Sequence, residues 1–290
     1  MSLTVLFWVW RLMSRLSRAM PLSWNYALAN VGGDIAYLVW PRGRGIAKRN
    51  VARVVGAPAD APEVRSLARA SFRHYGKYLA DFARLEGRRY QEMERRIIFG
   101  NWDAVERAVE RGKGTIFIGL HQGNWDMGML ALARRGYPMN VIVETFEHSR
   151  MNKLVAQTRE RIGVRLQPME AGVLPMLRAL KRNEMLGILI DQPNATANVR
   201  VQFLNHWVTV PAGAAALALR TGASILAGGV IRTRDNSYET IIHGPVVWPP
   251  SGDMDRDIRD LTQHIMHVLE DLVRQNPEQW FVFRPLWAEE

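Results

Sequence analysis

A histidine and an aspartate five positions apart are the residues of this sequence best suited to do chemistry. His121 follows an apolar run at 115–120, and Asp126 lies beyond the short stretch Gln-Gly-Asn-Trp. An ionised carboxylate that accepts the Nδ1 proton of an imidazole leaves Nε2 free to take up a proton. That arrangement is the base-and-orienter part of a catalytic triad without its nucleophile. The pair therefore predicts a general base, His121, that Asp126 orients.

The neighbouring residues predict a strand that carries the histidine and a helix that carries the aspartate. The run at 115–120 is apolar on both parities, as in a strand covered on both faces of a sheet. Gly123 permits a tight turn, and Asn124 is a favourable N-cap for a helix at 125–135. Five positions along one helix would separate two side chains by about 140°, so the pair requires this junction between loop and helix. As a strand cap and a helix-dipole partner the two residues would be merely structural, but their setting favours the functional interpretation.

The composition is that of a folded, basic protein. Of the 290 residues, 48% are hydrophobic and 23% charged, which excludes a disordered chain. The formal charge of +10 indicates an anionic partner: nucleic acid, a membrane surface or a phosphorylated substrate. The basic residues are spread over predicted helices and form no recognised nucleic-acid motif, which disfavours nucleic acid. Because there is no cysteine, disulfides and thiolate chemistry are excluded.

Residues 1–56 predict helices that lie on a membrane surface. The first apolar stretch is too short to span a bilayer, and basic residues follow it at Arg11, Arg15 and Arg18. Trp8 and Trp10 are typical of a membrane interface. A second apolar segment at 22–40 predicts a helical partner. A first helix docked into the protein core would show the same apolar residues, so that alternative stays open.

Residues 57–290 predict an α/β domain. Strands are predicted at 97–100, 115–120, 139–144, 184–191, 224–232 and 238–244, with helices between most of them and a short strand pair at 199–203 and 207–210. Such alternation indicates a sheet covered by helices on both faces. Ligands of these sheets bind outside the carboxyl ends of the strands, where we expect both His121 and Asp191.

Other catalytic motifs are missing from the sequence. It has no Gly-x-Ser-x-Gly elbow, no Walker A loop and no dinucleotide fingerprint. His264 and His267 have helical metal-ligand spacing but no third ligand nearby, so we expect neither a metal nor a cofactor.

The stretch from His121 to Asp126 resembles the HxxxxD/E box of the bacterial late lipid A acyltransferases and of the related phosphatidylinositol mannoside acyltransferases. Its Gly-Asn-Trp-Asp sequence at 123–126 is more similar to the phosphatidylinositol mannoside acyltransferases. Further segments agree in order along nearly the whole chain: Lys-Arg-Asn-Val at 48–51, Ser-Phe-Arg-His-Tyr-Gly at 71–76, Asn152, Asp-Gln at 191–192, Pro-Ala-Gly at 211–213 and Pro-Glu-Gln-Trp at 277–280. Two features depart from the lipid A group: the apolar N-terminal anchor is shorter, and Arg284-Pro285 replaces an Arg-Arg pair.

The resemblance implies an αβα sandwich with a mostly parallel central sheet of the glycerolipid acyltransferase type. It implies a peripheral or monotopic protein at the cytoplasmic face of the inner membrane. Such an enzyme moves a fatty acyl chain from acyl carrier protein or coenzyme A to a hydroxyl of a membrane glycolipid. The acceptor would be a lipid A precursor or a phosphatidylinositol mannoside-like lipid.

The resemblance also implies roles for particular residues. His121 would deprotonate the acceptor hydroxyl, and Asp126 would orient the imidazole of His121. Asn124 would support the turn between these two residues. Either Arg159 or Arg161 would stabilise the thioester's oxyanion or bind phosphate. Asp191 is the positional candidate for a further acid that supports the base, with capping of a loop as the alternative.

Two other functions fit the same residues. The histidine and aspartate could activate water, which would make the protein a thioester or lipid hydrolase. Alternatively, both residues are structural and the chain is a non-catalytic, basic membrane-binding protein.

Overall fold

The computed structural model describes residues 3–87, 90–144, 148–193 and 197–287. Its α-helices are α1 (Leu3–Ala19), α2 (Leu22–Val39), α3 (Pro41–Val55), α4 (Pro62–Leu85), α5 (Tyr90–Glu94), α6 (Trp102–Glu110), α7 (Trp125–Arg134), α8 (Ser149–Arg161), α9 (Leu174–Lys181), α10 (Gly213–Thr221) and α11 (Met254–Gln275). Its strands are β1 (Ile97–Phe99), β2 (Thr115–Gly119), β3 (Met139–Val143), β4 (Val164–Pro168), β5 (Met185–Leu189), β6 (Asn198–Phe203), β7 (His206–Pro211), β8 (Ser224–Arg232) and β9 (Tyr238–Val246). Short 3₁₀ helices lie at Met169–Ala171 and Pro277–Gln279.

A seven-stranded sheet in the order β1-β9-β8-β2-β5-β3-β4 forms the centre of the molecule. Strands β8, β2, β5, β3 and β4 run parallel to one another, whereas β9 is antiparallel to β8 and parallel to β1. Strands β6 and β7 form a separate antiparallel hairpin. The mostly parallel α/β sheet predicted from the sequence is confirmed.

The alternation of side chains along β2 builds a core on each face of the sheet. Ile116 and Ile118 belong to a cluster with residues of α9, α10 and α11, whereas Phe117 packs on the opposite cluster with residues of α6 and α7. Ile116 and Ile118 are completely buried. Double coverage explains why this strand is apolar on both parities and why it lies in the middle of the sheet.

The N-terminal helices pack against α4. Helices α2 and α4 cross so closely that a Cβ on Gly33 would stand 2.6 Å from the Cα of Arg73. Helix α1 is held by Glu86, which accepts hydrogen bonds from Arg11 and Ser14. The inner face of α1 is thus docked on the protein, while apolar side chains of α1 and α2 remain exposed on the other side. The boundary at residue 56 stays a prediction.

One strand of the sheet, β4, is not predicted by the sequence pattern. Its polar residues Arg165 and Gln167 alternate with Val164 and Leu166, and only β3 pairs with it. The alternation favours a strand, but over only five residues at the edge of the sheet the signal is weak. Across the described ranges, no helix combines the length and the apolarity that a bilayer crossing requires.

Candidate active site

The carboxyl ends of β2 and β5 bring His121 and Asp191 together. The two strands are neighbours, and Gly119 of β2 is in register with Leu189 of β5. Two residues beyond each of these positions, Nδ1 of His121 lies 2.7 Å from Oδ1 of Asp191. The backbone N–H of His121 donates to Oδ2 of the same carboxylate at 2.9 Å. Parallel strands in register therefore place the acid directly beside the histidine.

The predicted hydrogen bond between Asp126 and His121 is wrong, because Asp126 has other partners. Its Oδ2 accepts from the Tyr78 hydroxyl at 2.8 Å, and its Oδ1 accepts from Nε of Arg159 at 2.9 Å. Asp126 lies in the first turn of α7 and is completely buried between that helix, α4 and α8. The carboxylate that contacts the imidazole belongs to Asp191, which the sequence offers only as a supporting candidate.

The two titrating groups stabilise each other's charge. Burial lowers the pKa of His121, but the negative charge of Asp191 and its hydrogen bond outweigh burial, so the net pKa is raised. Burial raises the pKa of Asp191, but the charge and the hydrogen bonds of His121 outweigh it and lower the pKa. An ionised carboxylate only accepts hydrogen bonds, so Nδ1 of the imidazole carries the proton. Nε2 is left as the nitrogen that can act as a base.

The turn after His121 depends on Gly123 and Asn124. Gly123 has φ of 64°, and a Cβ there would stand 1.9 Å from the carbonyl oxygen of Val230. Asn124 caps α7, as predicted, by accepting from the backbone N–H of Met127 at 3.2 Å. Its amide also donates to the buried carboxylate of Asp81 at 2.9 Å. Both residues fix the loop that carries the histidine.

The chain segment after α11 closes over this loop. The backbone N–H of Phe281 donates to the carbonyl of His121 at 2.7 Å, and that of Gly123 donates to the carbonyl of Gln279 at 2.8 Å. The side chain of Gln279 in turn exchanges hydrogen bonds with the backbone of Arg232 on β8. The Pro-Glu-Gln-Trp motif noted in the sequence is therefore a structural clamp on the histidine loop.

An apolar cavity of 1340 Å³ adjoins the histidine. Its lining comes from both faces of the sheet, with Phe117, Leu132 and Val141 on one side and Met176, Ile188 and Leu217 on the other. Among the polar residues of the lining, Glu144 and Arg284 act electrostatically on His121, and Gln192 contacts its Nδ1. Ligand pockets commonly measure about 300–1,000 Å³, so this cavity is large enough for a long apolar ligand.

The two arginines predicted for an oxyanion or a phosphate lie on different sides of α8. Arg159 lines the cavity, and its side chain is 13% exposed. Arg161 instead donates to the backbone carbonyl of Glu86, at the end of α4, and is not among the cavity-lining residues. Of the two candidates for binding an oxyanion or a phosphate, only Arg159 lies at the cavity. Arg161 holds the end of α4 instead.

Three residues of the site have no role predicted from the sequence. Tyr78 holds Asp126, while Arg284 and Glu144 line the cavity and act electrostatically on His121. Arg284 lies four residues beyond the Pro-Glu-Gln-Trp motif, which was the available signal. Within the described parts of the chain, no three carboxylate or imidazole side chains converge in a way that could hold a metal ion.

A histidine-carboxylate pair at the carboxyl edge of an α/β sheet, beside a large apolar cavity, is an arrangement that can place a base next to an apolar substrate. The chain belongs to the bacterial lipid A biosynthesis acyltransferase family, whose model matches residues 1–289. The chain is 26% identical over 278 residues to a phosphatidylinositol mannoside acyltransferase of Mycolicibacterium smegmatis, covering 94% of this chain and 88% of the relative. It is 25% identical over 247 residues to one from Mycobacterium tuberculosis, covering 83% of this chain and 76% of the relative. The predicted family resemblance is confirmed, and the protein is an acyltransferase.

Proposed function

We propose that the protein transfers a fatty acyl chain from a thioester to a hydroxyl of a membrane glycolipid, with His121 as general base. The observation that carries this proposal is the 2.7 Å contact between His121 and Asp191 at the apolar cavity. Nε2 of His121 takes the proton of the acceptor hydroxyl as its oxygen attacks the thioester carbonyl carbon. The tetrahedral intermediate then collapses, the C–S bond breaks, and the thiolate takes the proton from His121.

Asp191, rather than Asp126, is the orienting acid in this mechanism. Its hydrogen bond holds the tautomer with the proton on Nδ1 and stabilises the imidazolium that forms during the reaction. Asp126 does not contact His121 in this mechanism. It acts through Arg159, which it fixes beside the cavity. Its bond occupies Nε of Arg159, so the terminal amino groups of that guanidinium are the donors we assign to the oxyanion or to a phosphate of the donor.

The cavity is the proposed site of the donor's acyl chain. Its apolar side chains exclude water from the thioester and contribute binding energy as they leave water themselves. The thioester carrier is acyl carrier protein or coenzyme A. Both carry negative charge, to which the net charge of +10 is complementary.

The acceptor class rests on the relatives and on the exposed face of the first two helices. Both relatives carry the name phosphatidylinositol mannoside acyltransferase, and the family is named for lipid A biosynthesis. Large apolar side chains are exposed along one face of α1 and α2: Val5, Trp8, Val9, Leu12, Met13, Leu16, Trp24, Leu28, Val31, Ile35, Leu38 and Val39. Their three- and four-residue spacing is that of a helix stripe that lies in a bilayer interface.

The exposed face of α2 ends at a residue that lines the cavity. Trp40 follows α2, is 45% exposed, and also lines the cavity beside Phe283. Trp40 therefore places the end of the exposed α2 face beside the cavity. We infer a peripheral or monotopic protein that works at the cytoplasmic face of the inner membrane, where acyl thioesters are made.

The experiment is an acyl transfer assay with the purified chain on vesicles. Acyl-coenzyme A or acyl carrier protein is the donor, and a phosphatidylinositol mannoside or a lipid A precursor is the acceptor. We expect mass spectrometry to find one added acyl chain on one acceptor, with thiol release that depends on that acceptor and is lost in His121→Ala. Free fatty acid released at the same rate without acceptor would identify a hydrolase instead, and no reaction with any donor would overturn the proposal.

A further inference from the structure

The carboxylate of Asp191 has a third donor besides the two from His121. Nε1 of Trp280 lies 3.0 Å from Oδ2 of Asp191. Asp191 is completely buried, and the Trp280 side chain is nearly so. One oxygen therefore faces the imidazole, while the other is held by the His121 backbone and by an indole.

We propose that Trp280 is a positioning residue for acyl transfer, because its indole N–H fixes the carboxylate of Asp191 against His121. The inference rests on the proposed function of His121 and Asp191. It assigns to the aromatic residue of the C-terminal clamp a direct part in aligning the base, beyond filling the core.

The indole is itself held in place from two directions. Its ring packs edge-on against Phe203 and Trp287 at centroid distances of 5.8 and 6.0 Å. Its backbone is bridged to Gln122, and the next N–H, of Phe281, donates to the His121 carbonyl. The same short segment thus contacts both members of the dyad.

The hydrogen bond affects the orientation and the charge of the carboxylate. With Nε1 bound to Oδ2, the plane of the carboxylate is fixed and Oδ1 stays aimed at Nδ1 of His121. The N–H also disperses part of the negative charge of Asp191. Without this donor the carboxylate binds the imidazolium more strongly, so the pKa of His121 rises and more of the base is protonated at a given pH. The other charged groups that act on His121 are Arg284 and Glu144, which no variant below changes.

A second buried tryptophan beside the first provides the matched control. Trp287 packs on Trp280, is 7% exposed, and has an Nε1 with no hydrogen-bond partner within the described structure. Replacing either indole by phenylalanine removes similar buried volume from the same core cluster. Only the change at Trp280 removes a bond to Asp191.

The test compares Trp280→Phe with Trp287→Phe in the full chain, by thermal unfolding and by the pH profile of acyl transfer on vesicles. We expect both variants to lose melting temperature, Trp280→Phe more, because it alone gives up a hydrogen bond to a buried carboxylate. In Trp280→Phe alone, kcat should fall about tenfold, as for a lost hydrogen bond to a charged group. Its acid limb should move to higher pH, while KM for the donor thioester stays within about twofold. Equal kcat values and equal acid limbs in the two variants would overturn the inference.

Two further measurements separate this inference from the proposed function. If Trp280→Phe does not fold, benzothienylalanine at position 280 keeps both rings and replaces only the N–H by sulfur, and it should give the same kinetic change. In an Asp191→Asn background the substitution at Trp280 should have no further effect on residual kcat. Full activity of His121→Ala or Asp191→Asn would show that the dyad itself is wrongly assigned, whatever Trp280 does.

Discussion

Asp191 accepts the Nδ1 proton of His121 from a position seventy residues further along the chain. The contact follows from the pairing of β2 with β5, in which Gly119 and Leu189 stand side by side. The nearer acid, Asp126, is turned away to Arg159 and Tyr78. His121 therefore follows one strand, while the carboxylate that contacts its imidazole follows the neighbouring strand.

Replacement of Asp191 by asparagine should reduce kcat about a thousandfold, because the asparagine amide donates to Nδ1 and leaves the proton on Nε2. Thiol release from the donor in the presence of acceptor measures this loss. Asp257→Asn is the control, since Asp257 is also a buried aspartate that accepts a backbone hydrogen bond, from Ser251 at 2.8 Å. Asp191→Asn with activity close to wild type would contradict the assignment.

Replacement of Asp126 by asparagine should lower stability and, because it releases Arg159 from its place beside the cavity, should also lower kcat, though less than Asp191→Asn does. It leaves the buried guanidinium of Arg159 without its ion-pair partner, which costs about 3 kcal/mol in the free energy of unfolding. Urea unfolding measures that loss, and Tyr78→Phe, which removes one donor to the same carboxylate but leaves the ion pair, should cost less, about 1.5 kcal/mol. An unchanged unfolding curve together with a kcat as low as that of Asp191→Asn would restore Asp126 as the orienting acid.

The sequence predicts which edge of the sheet carries the site. It does not predict which carboxylate contacts His121. The apolar runs before His121 and Asp191 each predict a strand, and the rule for such sheets places both residues at one edge. Which strands are neighbours depends on core packing, because β3 and β4 lie between β2 and β5 in the chain. Proximity in the sequence favours Asp126 as the carboxylate beside His121, whereas the register of β2 and β5 places Asp191 there.

The sequence also leaves open whether Arg159 or Arg161 faces the cavity, because that depends on how α8 packs. Residues two apart on a helix point about 200° from each other, so only one of them can face the cavity. Helix α8 is polar on most of its surface, and its pattern therefore does not reveal which side faces the core. In the structure Leu154 and Thr158 are its buried residues, and Arg159 lies next to them on the cavity side.

Activity and the stability of the dyad should depend on pH in opposite ways. Because the pKa of His121 is raised above 6.5, the base is neutral only at higher pH, and kcat/KM should rise through an acid limb above 6.5. The raised pKa contributes stability that is fully present below pH 6.5 and is lost as the pH rises through the folded value. The lowered pKa of Asp191 contributes stability that is present above pH 3.8 and is lost on further acidification through the folded value.

Rate profiles and unfolding profiles against pH check both halves of this expectation. Asp191→Asn should reverse the direction of the change in unfolding free energy between pH 5 and pH 8, because burial, which lowers the pKa of His121, is then no longer outweighed by the charge of Asp191. An acid limb below the ordinary histidine value in the wild type would contradict the role of Asp191.

A larger side chain at Gly128 should shorten the acyl chain that the enzyme prefers. Gly128 lies on α7 and lines the cavity, where a Cβ would stand 3.0 Å from a methyl group of Val230. Gly128→Leu would overpack this contact and push Val230, which also lines the cavity, toward its interior, so stability should fall and kcat/KM should fall more for long donors than for short ones. Ala133→Leu on the same helix, outside the cavity lining, is the control. Equal losses for donors of every length would place the chain elsewhere.

The apolar face of α1 and α2 is best tested by single exposed residues rather than by removing a helix. Deletion of residues 1–20 would also remove Arg11 and Ser14 from the buried carboxylate of Glu86, so it confounds membrane binding with folding. Trp24 is 65% exposed on α2, and Trp207 is 54% exposed on the hairpin of β6 and β7. We expect Trp24→Gln to weaken sedimentation with anionic vesicles about tenfold, because a large interfacial aromatic side chain is lost. The unfolding temperature should stay unchanged, since the side chain is exposed. Trp207→Gln should leave vesicle binding unchanged, and an equal loss in both variants would mean that the bilayer contacts a different face from the one proposed.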